Sequence, residues 1–225
     1  LKFSIKNNEL AGKLALVART IASGGANPEL SGILVEANEG RLSFSSTDGN
    51  LSLRVPVHLE GQVDSDGRVL LPGRLFADIS RLLGSGQSEI EYSASESSVR
   101  ISSGSSNFNL RTLNEANFPP LPDAGGETIP LGRESLLETI ELVARAASRD
   151  DMRPVLTSVQ VLATGNELTM VATDSYRLAV KQTHLAEPVP VDLDRNIPAN
   201  ALRELSRLLS SSDSDSARLS VTDRQ

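Results

Sequence analysis

Apolar residues recur at helical spacing near the start of the chain. Over residues 8–22, Leu10, Leu14, Val17 and Ile21 share one face, which predicts an amphipathic helix. The short alternating run LKFSI before it predicts a strand. After the helix the period shortens. Strands are predicted at Gly32–Ala37, Arg41–Ser46 and Leu51–Val57. Asn38-Glu39-Gly40 and Asp48-Gly49-Asn50 join them with hairpin-turn chemistry. Strand Arg68–Leu71 follows, and Pro72 leads into a second helix over 73–83. Leu75, Phe76, Ile79, Leu82 and Leu83 are assigned to its inward face. Ser88–Ser93, Ser97–Ser102 and Asn107–Thr112 finish the sheet. The predicted unit is α+β, with two helices laid on one face of a mainly antiparallel sheet.

The same pattern then returns 126 residues later. Leu16-Val17-Ala18-Arg19 falls on Leu142-Val143-Ala144-Arg145, and Pro28 and Leu30 fall on Pro154 and Leu156. Thr47-Asp48 meets Thr173-Asp174, Pro72 meets Pro198, and Ser80-Arg81-Leu82-Leu83 meets Ser206-Arg207-Leu208-Leu209. No gap is needed from about residue 10 to residue 83. The chain is therefore a tandem repeat. Helices of the second copy are predicted near 134–148 and 199–210. The first domain takes residues 1–122, with a linker at 113–126 signalled by Asn117-Phe118-Pro119-Pro120-Leu121-Pro122 and Gly125-Gly126. The second takes residues 127–225, starting near Glu127. Ala217 to Val221 matches Ser88 to Tyr92, but nothing answers Val99-Arg100-Ile101 or Phe108-Asn109-Leu110. The second domain is thus expected to stop before its last strands.

Composition narrows the chemistry. Hydrophobic residues make up 39% and charged residues 23%, as in a globular protein. Aromatics are only 3% and Trp is absent, so cores must rest on Leu, Val, Ile and Ala, and aromatic stacking of bases is disfavoured. With no Cys there is no disulfide, thiolate metal site or Cys nucleophile. His58 and His184 each stand alone in polar, strand-like surroundings and suggest no metal site. No apolar run reaches membrane-spanning length, and LKFSIKNNEL does not read as a signal peptide.

The net charge of −7 weighs against nucleic acid unless the basic residues gather on one surface. Arg74 and Arg81, seven residues apart, share one side of a predicted helix, taken to face away from a Leu75/Ile79/Leu82 stripe. Arg203 and Arg207 are spaced i, i+4 and are taken to face outward. Lys13 flanks the apolar stripe of the first helix, and Arg149 and Arg153 lie in the loop Ser148–Arg153. Acidic residues fall on strands and turns: Glu36, Glu39, Asp64, Asp66, Glu89, Glu91, Asp213 and Asp215. Each Arg taken alone fits a solvated helix face. Taken together they fit a basic helical layer opposite an acidic sheet layer, able to receive phosphates without reading bases.

Val171-Ala172-Thr173-Asp174-Ser175-Tyr176-Arg177-Leu178-Ala179-Val180 resembles the A-T-D-G-H-R-L-A segment of the bacterial DNA polymerase III beta sliding clamps. Pro28–Leu34, Arg68–Phe76 and Asn117-Phe118-Pro119 agree with the same family, and the resemblance covers the whole chain. It implies tandem clamp domains arranged as an arc of a ring. Full-length members are head-to-tail homodimers with three such domains per subunit, and a third domain is absent from this chain. The resemblance implies a non-catalytic, cytoplasmic processivity factor without cofactor. Its partners would be duplex DNA, held without sequence preference, and the polymerase III alpha subunit, clamp loader, other polymerases and repair proteins, held through clamp-binding peptides.

Site residues carry over by position. Lys13, Arg74, Arg81 and Arg207 match basic positions lining the hole, and Arg149 and Arg203 join them as DNA-facing. Arg153, Leu156, Thr173, Ser175, Tyr176, Arg177 and Leu178 match the second-domain half of the peptide pocket. Ile79, Phe108 and Leu110 match the dimer edge. The pattern departs from the family at Ser175-Tyr176, where Gly-His is usual, at Ala199-Asn200, where basic residues are common, and at Asn27-Pro28, which lacks an Arg. For Leu156 and Leu178, core packing and an exposed groove both remain open, and Thr173-Asp174 is also explained by turn chemistry alone.

Two other classes compete. A hydrolase or transferase would need a nucleophile with a base, or a metal cluster. The Ser-rich tracts Ser102–Ser106 and Ser210–Ser216 are loop composition, Asp150-Asp151 follows a helix end, and there is no phosphate-binding glycine loop. A repeat scaffold that binds only proteins would share the fold but lack a basic face.

Overall fold

A computed structural model describes residues 1–22, 24, 27–59, 63–121, 128–212 and 214–220. The chain divides into two compact units, Leu1–Leu121 and Pro122–Gln225. Expectations resting on Pro122, Gly125-Gly126, Glu127, Asp213 and Val221 lie outside the described residues.

In the first unit, β1 (Lys2–Lys6) runs into α1 (Asn7–Val17). Strands β2 (Gly32–Asn38), β3 (Arg41–Thr47), β4 (Ser52–Val57), β5 (Val63–Ser65) and β6 (Gly67–Pro72) precede α2 (Gly73–Leu82). β7 (Gln87–Ser93), β8 (Ser98–Ser103) and β9 (Ser106–Arg111) close the unit. The strands separate into two antiparallel sheets, β5-β1-β7-β8-β9 and β4-β3-β2-β6, where the sequence suggested one. A bridge between Leu70 and Leu113 joins them.

The second unit contains β10 (Thr128–Gly132), α3 (Arg133–Val143), β11 (Ser158–Thr164), β12 (Glu167–Thr173), β13 (Leu178–His184), β14 (Leu193–Pro198), α4 (Ala199–Ser210) and β15 (Ser216–Ser220). Its sheets are β10-β15 and β13-β12-β11-β14. The registers repeat residue for residue. Leu34 pairs with Ser45 as Gln160 pairs with Val171, Gly32 with Pro72 as Ser158 with Pro198, and Thr47 with Ser52 as Thr173 with Leu178. A one-residue slip would turn every side chain to the wrong face, so matched register means matched cores.

The hairpin turns follow from backbone chemistry. Glu39 (φ 51°) and Gly40 (φ 74°) both take positive φ, as a two-residue type I′ turn requires. The Glu39 N–H donates to Asp66 Oδ2 at 2.9 Å, which helps hold a non-glycine residue there. Asn7, buried at the start of α1, donates to the Gly84 carbonyl at 2.7 Å and accepts from Ser88 Oγ at 2.6 Å. Its counterpart Arg133 instead reaches the Leu209 and Ser212 carbonyls at the end of α4.

Three further sequence expectations are corrected. Leu75 and Leu82 point to solvent, 52% and 77% exposed, while Phe76, Ala77, Ile79 and Ser80 are buried and Leu83 is half-buried. The small residues decide this. Gly73 sits so close to its neighbours that a Cβ there would lie 2.5 Å from Ile21 Cδ1 and 3.0 Å from the Ser31 carbonyl oxygen. The helix therefore docks on its 73/76/77/80 face rather than on its leucines. Second, α1 ends at Val17, with a 3-10 turn over Ala18–Thr20, and α3 ends at Val143, with a 3-10 turn over Ala144–Ala146. Ile21 is buried from an extended residue beyond the helix. Third, residues 113–121 are not a loose connection. Leu113 pairs with Leu70, and Phe118 is buried beside Leu34 and Leu70. Burying that ring fixes the segment although its prolines cannot donate to a ladder.

Candidate functional site

Two surfaces of the second unit carry the site residues that the sequence singled out in that unit. The first is the turn between β12 and β13. Thr173 Oγ1 donates to the Arg177 carbonyl at 2.7 Å and accepts the Ser175 N–H at 3.1 Å. Asp174 Oδ1 accepts the N–H groups of Tyr176 and Arg177, each at 3.0 Å. The first unit builds the identical turn from Thr47 and Asp48, whose side chains bond Gly49, Asn50 and Leu51 in the same pattern. Turn chemistry thus accounts for both Thr-Asp pairs.

What the turn displays differs between the copies. The first carries Asn50, Ser52 and Arg54 where the second carries Tyr176, Leu178 and Val180. Tyr176 is 95% exposed and Leu178 66% exposed, and Val180 is also exposed. The adjoining 3-10 turn, Pro154–Thr157, shows Val155 at 73% exposed where the first copy has Glu29, and Met152 just before it is also exposed. Leu156 is half-buried. Since the first copy folds with Glu29, Asn50, Ser52 and Arg54 at the positions of Val155, Tyr176, Leu178 and Val180, packing does not require these four to be apolar. Met152, Val155 and Val180 were not singled out from sequence; laying the two copies side by side for polarity would have found Val155 and Val180, opposite Glu29 and Arg54.

The two segments are tied together. Arg153 Nε donates to Asp150 Oδ2 at 2.9 Å, and its Nη1 donates to Ser175 Oγ at 3.3 Å. Ser175 has φ 79°, and its counterpart Gly49 has φ 93°. A side chain is strained in this region, so Ser175→Gly should leave stability unchanged or slightly raised. Ser175→Val should cost about 1–2 kcal/mol in a denaturant titration.

Asp174 and Asp150 are held below the usual carboxylate range. For Asp174 the main cause is the Tyr176 N–H, aided by the Arg177 N–H and guanidinium; for Asp150 it is the Met152 N–H, then Arg153. A depressed folded pKa stabilises above the ordinary value of 3.8, and that stability is lost as pH falls through the lowered value. Amide shifts of Tyr176 and Arg177 should therefore stay flat from neutral pH to about 4 and move only below it.

The second surface is the pair α3 and α4. Between them lies a groove of about 530 Å³ lined by Ile140, Glu141, Ala144, Arg145, Arg203, Ser206 and Arg207. Arg203 does not simply face outward, as its spacing suggested. It is half-buried, with Nη2 donating to the Ala144 carbonyl at 2.6 Å and Nη1 to Asn200 Oδ1 at 2.7 Å. Burial, then the charges of Arg149 and Arg207, lower its pKa. Arg207 is exposed and paired with Glu204, and Arg149 is exposed. Arg145, which lines the groove, was not singled out.

In the first unit Lys13 is half-buried on α1, and Arg74 and Arg81 are exposed on α2, Arg81 bonded to Asp78 at 2.8 Å. Ile79 and Leu110 are buried in that unit's own core. Phe108 is half-buried on β9, the edge strand of its sheet. Among the described residues no group of three His, Cys, Asp or Glu could hold a metal, and no helix is long and apolar enough to cross a membrane.

Comparison with known proteins places these surfaces in a family context. Residues 1–122 match the family described as DNA polymerase III beta subunit, N-terminal domain, and residues 130–225 match the central domain of the same subunit. A beta sliding clamp of Streptomyces coelicolor is 37% identical over 215 residues, covering 95% of this chain and 56% of that relative. The chain thus spans a little over half the length of that relative. The crystal structure of the DNA polymerase sliding clamp from Bacillus subtilis superposes with a TM-score of 0.91 at 28% identity, over 99% of this chain and 60% of that one. A Pseudomonas aeruginosa sliding clamp bound to griselimycin gives a TM-score of 0.90 at 26% identity, with the same coverage.

Proposed function

Because this chain belongs to the DNA polymerase III beta-subunit family, we propose that it supplies two of the domains of a sliding clamp, a cytoplasmic, non-catalytic ring that encircles duplex DNA and tethers polymerases. The cationic helices would face the DNA: Lys13, Arg74 and Arg81 in the first unit, and Arg149, Arg203 and Arg207 in the second. They offer guanidinium and ammonium groups to phosphates and no base-reading constellation, so grip without sequence preference follows. The apolar turn Thr173–Leu178, with Arg153 and Leu156, would form half of the pocket that takes clamp-binding peptides from the polymerase III alpha subunit, the clamp loader and repair proteins. Griselimycin, held by the Pseudomonas aeruginosa relative, is a candidate ligand of the same kind. The β9 edge, with half-buried Phe108, would meet the third domain of a second subunit in a head-to-tail homodimer, whereas Ile79 and Leu110, expected there from the resemblance, are taken up by the unit's own core.

One observation carries the reading. Two copies share one fold, register and turn chemistry, yet only the second displays Tyr176, Leu178, Val180 and Val155. A scaffold without that function would not need the exchange. The cationic half is tested by titrating salt against binding of a short duplex. Affinity should fall steeply with salt and not depend on sequence. Arg207→Gln should reduce the slope of log K against log salt by about one. Binding indifferent to salt would remove DNA from the account.

A further inference from the structure

The 3-10 turn Ala144–Ala146 lies between the two surfaces just described, and an arginine from each holds it. Arg203 of α4 donates to the Ala144 carbonyl at 2.6 Å. Arg177 of the apolar turn donates to the next carbonyl, Arg145, also at 2.6 Å, while its Nε binds Asp174 at 2.9 Å. Helix ends leave carbonyls short of partners. Besides the Arg203 bond, the Ala144 carbonyl accepts the Ala147 N–H at a long 3.4 Å. The chain beyond this turn carries Arg149 and reaches Leu156, whose carbonyl accepts the Ser148 N–H at 2.8 Å.

The first copy closes the same helix end differently. There Thr20 and Ser46, both buried, hydrogen-bond to each other, and Ser46 Oγ donates to the Val17 carbonyl, with Thr20 Oγ1 also 3.4 Å from that oxygen. In the second copy these positions are Ala146 and Ala172, and the arginines stand where the first copy has Ala77 and Leu51. A local hydroxyl lock has thus been exchanged for two long side chains rooted in separate surfaces. The fold does not demand the exchange, because the first copy manages without it.

We propose that the Ala144–Ala146 turn couples the cationic helix face to the Thr173–Leu178 turn. Arg203 and Arg177 act as positioning residues. A phosphate that draws the Arg203 guanidinium away leaves the Ala144 carbonyl with the long 3.4 Å bond from the Ala147 N–H in place of two partners. The 3-10 turn then loosens, and with it the seat of Arg177 and the presentation of Tyr176. The phosphate step rests on the DNA-facing reading of α4; the mechanical link does not.

The test needs only this chain, labelled for amide hydrogen exchange by NMR. Arg203→Ala should raise exchange at the Tyr176 and Arg177 amides by about three- to tenfold. Arg195→Ala, a control whose guanidinium donates to the Asp194 carbonyl of its own strand, should not change them. If Arg203→Ala leaves these amides unmoved, the coupling is refuted. In a second arm a short DNA duplex is added to the wild-type chain at low salt, with binding followed by fluorescence anisotropy. The Tyr176 and Arg177 amides should shift on binding, and should no longer shift in Arg203→Ala. A duplex that binds without moving them overturns the proposal and leaves the DNA reading standing. A duplex that does not bind, with the Arg203→Ala effect present, overturns the DNA reading and supports the link.

Discussion

Tyr176→Asn together with Leu178→Ser is expected to leave the fold intact and to weaken capture of a clamp-binding peptide by about thirtyfold or more. The substitutions copy the first repeat, where Asn50 and Ser52 occupy the same positions of the same turn. The turn itself is held by Thr173 and Asp174, which the variant keeps. Tyr176 and Leu178 are exposed, so their loss opens no cavity and should shift the melting temperature little. A large exposed aromatic beside an aliphatic residue is the kind of anchor that contributes about 2 kcal/mol or more when a partner buries it. The measurement is peptide affinity by calorimetry, using a peptide from the polymerase III alpha subunit. The protein must be long enough to carry the third domain that the resemblance implies. Unchanged affinity would show that the apolar exchange between the copies serves something else.

The second large effect concerns stability. Phe44 and Phe76 are fully buried in the first unit and meet edge to face, with ring centroids 6.2 Å apart and planes at 78°. The second copy fills those positions with Met170 and Leu202. Phe76→Ala should therefore cost about 3–5 kcal/mol, whereas Phe76→Leu, which imports the second copy's residue, should cost about 1 kcal/mol. Each unit has its own core, so the loss should be confined to the first. Amide exchange should rise about a hundredfold or more in β2, β3 and β6 and stay unchanged in β11 and β12. An equal rise in both units would mean that they unfold as one.

The contrast between the copies also explains how much was legible in the sequence. The repeat was readable because register depends on a few fixed features: Thr47-Asp48 and Thr173-Asp174 at one turn, Pro72 and Pro198 at one helix start. The strands between them kept their length, so the pairings follow. The inward face of α2 was not readable by hydrophobicity. Leu75, Ile79 and Leu82 form a plausible stripe, and only the close approach at Gly73 selects the neighbouring face. The connection near Phe118 was misjudged because its prolines mask one buried ring. The turn at Thr173–Leu178 was found through resemblance, yet its exposed companions Met152 and Val155 were missed, since each looks like ordinary core material when read alone. Arg203 is placed outward by its spacing because spacing cannot show that a backbone carbonyl, Ala144, lies within its reach.

Retention on DNA of different topology tests the central claim most directly. A complete ring, loaded onto a nicked circular duplex, should stay bound at salt concentrations that dissolve its phosphate contacts, and should be lost when the circle is cut once. If salt strips it equally from circular and linear DNA, the protein holds DNA by surface charge alone, and encirclement by these domains is wrong.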